Sequence, residues 1–168
     1  MTKDEFLELI RSARTQWQAL LAEIPERKMS EPGVAGEWSL KDILAHIAWY
    51  YHEMIGVMQA HALVGSELWN LPPDERNALI FEQNRGRDLQ EVLAEFNRFA
   101  AQLLEAVGSI SEEDLTNPRG FKDMLSDWVP WQVIAGNAYI HDEDHIRSVR
   151  EWMGKNGIKM TSSTTKQA

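Results

Sequence analysis

Apolar residues recur along this chain at steps of three and four, the period of an amphipathic helix, and no stretch alternates convincingly as a strand. The first stripe runs Phe6, Ile10, Ala13, Trp17, Leu20, Ile24. A capping box of Thr2 with Glu5 opens it and Pro25 closes it. Residues 25–37, with Pro32, Gly33 and Gly36, read as a loop. Ser39, with Asp42 three residues on, opens helix two, whose inward face is Ile43, His46, Ile47, Tyr50, Met54, Val57; it frays near residues 63–65. Pro72 and Pro73 start a short helix to about residue 84, ended by Gly86. Asp88 and Glu91 cap helix three, with the face Val92, Phe96, Phe99, Leu103, Val107. A loop spans residues 108–125, broken by Pro118 and Gly120. The last helix is predicted as continuous from about Ser126 to Trp152, with Pro130 in its first turn and Gly154 and Gly157 terminating it.

Four long amphipathic helices and one short connector between helices two and three predict an all-α four-helix bundle over residues 1–153. Residues 154–168 form a polar tail expected to be disordered. At 168 residues and 43% apolar content the chain suits one domain with a buried core. It has no cysteine, so disulfides, iron–sulfur clusters, thiolate zinc sites and a cysteine nucleophile are excluded. That composition fits the cytoplasm. No apolar run reaches the roughly 20 residues of a membrane helix, and the charged N-terminus has no leader pattern, so no membrane partner is expected. The net charge is −9. Residues 155–168 hold three lysines and no acid, and the remaining 14 basic and 26 acidic residues leave residues 1–154 at −12. Such a surface repels phosphate backbones and tolerates cations, so nucleic acid is not an expected partner.

Candidate chemistry lies where polar side chains interrupt the apolar seams. The last seam reads Trp131, Ile134, Ala138, His141, His145, Val149, Trp152, which puts two histidines one turn apart on an inward face. His46 holds the corresponding inward place on helix two. Three imidazoles on two helices could hold one ion and leave coordination positions open, while the spacing alone suits hydrogen-bonded core histidines equally well. His52 and His61 read as peripheral. Asp142 and Glu143 point off the seam, and Asp144 is read as a surface residue able to reach His145. Asn137 suits either a ligand contact or a helix–helix hydrogen bond. Trp38, Trp49, Tyr50, Trp131 and Tyr139 are candidate walls of a small-molecule pocket. H-E-x-x-H, G-x-G-x-x-G, P-loop and G-x-S-x-G patterns are absent.

W-S-L-K-D-I-L-A-H at residues 38–46 and H-x-x-x-H at residues 141–145 resemble the two motifs of the DinB/YfiT-like superfamily. The runs at residues 77–96 and 131–146 are similar to its ClbS/DfsB branch, and the resemblance spans nearly all of residues 1–153. It implies an up-down-down-up bundle with zinc or nickel on His46, His141 and His145. It also implies hydrolase or thiol-dependent transferase chemistry on a small reactive molecule, in resistance or detoxification. A non-catalytic sequestering bundle with vestigial histidines is the alternative. The branch pattern N-T-Y-x-H-Y-x-x-H carries Ala138 and Asp142 here in place of its threonine and second tyrosine. Bundles of this size often pair by a helix face, which leaves a homodimer open.

Overall fold

The computed structural model describes residues 1–159. Its long helices are α1 (Lys3–Glu23), α2 (Leu40–Ala60) and α4 (Leu89–Ser109), with α3 (Pro73–Asn84) between the last two. A short α5 (Glu112–Thr116) precedes α6 (Pro130–Gly136) and α7 (Tyr139–Lys155). The expected all-α bundle is the observed fold.

Contacts between helices set their directions. The Lys3 ammonium donates to the carbonyls of Gly108 and Ile110 at the end of α4, and Trp17 meets Phe96, so α1 and α4 run antiparallel. Tyr51 stacks on Phe96 and His52 lies by Phe99, so α2 and α4 run parallel. Phe6 packs on Tyr139 and Arg150 donates to Gln16, which makes α1 and α7 parallel. The resulting order is up-down-down-up.

Helix α2 sits at the centre. It is apolar nearly all round and buries residues on every face, as a helix surrounded by neighbours must. Ser39 and Asp42 form its capping box as the sequence predicts, and Thr2 with Glu5 caps α1 in the same way. Lys41, buried at the start of α2, donates to the carbonyls of Arg85 and Arg87 and so holds the end of α3 against it. The whole predicted α1 stripe is buried.

Several local expectations are corrected. The segment read as a loop before α2 holds a two-stranded antiparallel hairpin, β1 (Pro32–Ala35) with β2 (Trp38–Ser39). Gly36, at φ +62°, supplies its turn. The loop after α4 contains α5, capped by Ser111 on the Asp114 N–H. Asp88 caps α4 through Gln90 rather than through a box with Glu91. Ala100 rather than Phe99 fills the buried α4 stripe.

The largest departure is in the last helix, which breaks at Asn137 and Ala138. Gly136 weakens the helix there, and the Asn137 amide donates to the Val133 carbonyl at 2.8 Å, satisfying the end of α6. Helix α7 then continues through Gly154 and stops at Gly157, φ +66°. Most of the predicted polar tail, residues 160–168, lies outside the described residues. Among the described residues, no helix is long and apolar enough to cross a membrane.

Candidate metal centre

His46 stands in the second turn of α2, His141 and His145 in the first two turns of α7, and the antiparallel packing of those helices brings the three together. The His141 Nε2 lies 3.0 Å from Nε2 of His46 and 3.0 Å from Nε2 of His145. One ligand atom from each ring falls within 4.8 Å of the others. His46 is buried, and the other two are half-buried.

Burial sets the charge of this cluster. It lowers His46 to about 2, His141 to about 3 and His145 to about 4, with the neighbouring imidazoles adding to the shift in the first two. Asp144, an exposed partner of Arg147, partly opposes the shift of His145. At neutral pH the three rings are therefore uncharged and bring nitrogen lone pairs to one point. Neutral imidazole is the form that binds a metal. Nitrogens bound about 2.1 Å from one ion stand about 3.0 Å apart at right angles and about 3.4 Å at tetrahedral angles. The two separations from His141 fit nitrogens that share one ion. The Nδ1 atoms of His46 and His141 are buried without a protein partner.

The aromatic candidates divide into two groups. Trp38, placed by the hairpin, meets His46 edge-on at 5.1 Å and stacks on Phe81 of α3. Tyr50 packs 4.8 Å from His46 and 4.6 Å from His141. Trp49 borders Tyr50 and Trp69, one shell further out. Trp131 and Tyr139 instead pack on Phe6 of α1. Asn137 donates its side-chain amide to Val133 of its own helix and lines a cavity.

Sequence reading missed two features. The first is a polar edge from α3. The Tyr50 hydroxyl donates to Asn77 Oδ1 at 3.0 Å and accepts from Arg76 Nε at 3.1 Å. The Arg76 guanidinium lies 4.5 Å over Trp69, and its charge helps keep His46 neutral.

The second is Asp142, which was expected off the seam and is buried. The buried face of α7 keeps Val149 and Trp152 of the predicted seam, but in its first two turns it runs through Asp142 and Ile146, one residue on from His141 and His145, so the histidines occupy its flank facing α2. Asp142 Oδ2 accepts the Tyr51 hydroxyl at 2.6 Å. Its Oδ1 lies within electrostatic reach of the buried Trp17 indole N–H, although the pair falls short of a hydrogen bond. Burial raises the carboxyl to about 7. The signal lay on the other helices: a phenol and an indole on inward faces need a polar partner.

Tyr51→Phe is expected to cost about 1–3 kcal/mol in urea unfolding, because it strands the buried carboxyl. Adding Asp142→Leu should recover much of that loss. No recovery in the double variant would mean that the pair matters through packing alone.

The chain matches the DinB superfamily model over residues 9–149 and belongs to that superfamily. Three solved structures share its fold. A protein from Streptococcus pneumoniae superposes with TM-score 0.78 at 17% identity, covering 92% of this chain and 91% of that one. An uncharacterised protein from Escherichia coli UTI89 gives 0.75 at 15% identity, covering 94% and 96%. The sibling lethal factor precursor DfsB gives 0.76 at 16% identity, covering 93% and 97%. No curated protein matches this chain.

Proposed function

We propose that this protein is a metal-dependent enzyme that acts on a small reactive molecule, of hydrolase or thiol-dependent transferase type, in resistance or detoxification. The observation that carries the reading is the convergence of three uncharged imidazoles, with His141 Nε2 3.0 Å from Nε2 of each of the other two, in a superfamily fold. His46, His141 and His145 would hold the ion. A bound Zn²⁺ or Ni²⁺ supplies Lewis acidity at its open coordination positions. Trp38 and Tyr50 cover the histidine side of the site, and Tyr50 is held in one orientation by Arg76 and Asn77. The motif resemblance to the ClbS/DfsB branch supports a reactive small molecule as the substrate.

One observation favours a non-catalytic binding bundle with vestigial histidines. Metal-bound histidines usually donate their second ring N–H to a protein or water acceptor, and Nδ1 of His46 and of His141 has no protein partner. Metal analysis of protein purified without an affinity tag separates the two readings. The enzyme reading expects close to one equivalent of zinc or nickel, lost on His141→Ala. Below about a tenth of an equivalent, with no uptake from added metal, the binding bundle stands.

A further inference from the structure

Beside the histidine cluster, and lined by none of the three, is a cavity of about 800 Å³. That volume is within the range of sites for drug-sized molecules. Its floor is apolar, from Met54 and Val57 of α2 and Val133 of α6, and two tryptophans, Trp69 and Trp128, form its walls. Trp128 is 41% exposed, a large apolar surface left at the opening.

One wall is built by a buried charge. Glu53 Oε2 accepts the Ser66 backbone N–H at 2.8 Å and the Trp69 indole N–H at 2.7 Å, which fixes the indole and the segment leading to it. A Cβ at Gly65 would collide with this carboxylate and with the Trp69 indole, so a larger residue there would displace the Glu53–Trp69 bond.

The charged residues that line the cavity have one sign, and the cation at its wall, Arg76, lies over Trp69. Its lining includes Glu67 and Asp127, both exposed, and no lysine, arginine or histidine. Neither carboxylate is in an ion pair among the described residues. The chain already sets a cation on one of these indoles, since Arg76 lies over Trp69. A ligand cation is therefore directed away from Arg76, toward Trp128 and the two rim carboxylates.

From this geometry we infer that the cavity is a binding site for a hydrophobic organic cation, its apolar body among Met54, Val57 and Val133 and its charge between Trp128, Glu67 and Asp127. This site does not depend on metal at the histidines. Its failure and the failure of the proposed function are therefore separable.

The test is calorimetric titration of EDTA-treated full chain with 4-phenylbutyltrimethylammonium, 4-phenylbutanol and 4-phenylbutyrate. The cation should bind at least about fivefold more tightly than the alcohol, and the carboxylate most weakly. The double variant Glu67→Gln/Asp127→Asn, altered only at exposed positions, should lose the cation preference and keep its affinity for the alcohol within about twofold. Trp128→Ala should weaken the cation by about tenfold. Equal affinities for the three probes, tightest binding of the carboxylate, no binding of any probe, or an unchanged preference in the double variant would each overturn the inference.

Discussion

Acidifying the metal-free protein from pH 7 to pH 5 is expected to cost about 3 kcal/mol of folding stability. The sign follows from which state binds protons. His46, His141 and His145 are lowered to about 2, 3 and 4 by burial and by one another, whereas in the unfolded chain they titrate near 6.5. Below pH 6.5 the unfolded chain takes up three protons that the native cluster refuses, so stability falls as pH falls. Asp142 works in the opposite direction. Its carboxyl is raised to about 7, so between about pH 4 and 7 the native state holds a proton that the unfolded chain has lost. The net difference is about two protons. Urea unfolding in EDTA across this range measures it, and Asp142→Asn should steepen the loss to about 6 kcal/mol by removing the opposing proton. A flat profile in the Asp142→Asn protein would mean that the native imidazoles titrate as they do in the unfolded chain, and burial would then not be what keeps the cluster neutral.

How much of this was legible in the sequence depended on the range of the interaction involved. Capping boxes and the α1 stripe are local, so Thr2 with Glu5, Ser39 with Asp42, and Phe6 through Ile24 could be read directly. The histidine cluster was legible because the i, i+4 pair and the inward His46 survive a small error in seam position. Asp142 was lost to that same error. Counting 100° per residue from His141 puts it off the face, but α7 packs on α1 and α2 together, and the residue between those two contacts is the buried one. The break at Asn137 and Ala138 was masked by apolar residues that stay in phase on both sides of it.

The polar edge of the site was out of reach for a different reason. Arg76 and Asn77 lie on a short, weakly amphipathic helix whose position over Tyr50 is set partly by Lys41 reaching the end of that helix, 44 residues away in sequence. Nothing in the spacing of α3 itself encodes that contact. The Glu53–Trp69 bond is hidden likewise: a glutamate among apolar residues reads as an exposed position until Gly65 lets the following segment close over it.

Metal should raise the melting temperature of the wild-type chain by roughly 5–10 °C, and His145→Ala should abolish most of that rise. An ion at 100 times its dissociation constant, bound by the native state alone, stabilises by about 2.7 kcal/mol, and a domain of this size shifts by about 2–4 °C per kcal/mol. Without metal the substitution should have a much smaller effect. It removes a half-buried imidazole from a crowded cluster of three, and the two Nε2 contacts at 3.0 Å cannot both be strong hydrogen bonds through the single lone pair or proton of His141 Nε2. Differential scanning fluorimetry with and without EDTA, on protein made without a tag, compares the four states. The metal-dependent rise should hold as pH falls through about 6.5, because the native imidazoles stay neutral there, and should shrink only as pH approaches about 4, where His145 begins to bind a proton. Equal losses on His145→Ala with and without metal would show that His145 acts only by packing, and the three convergent nitrogens would need another explanation.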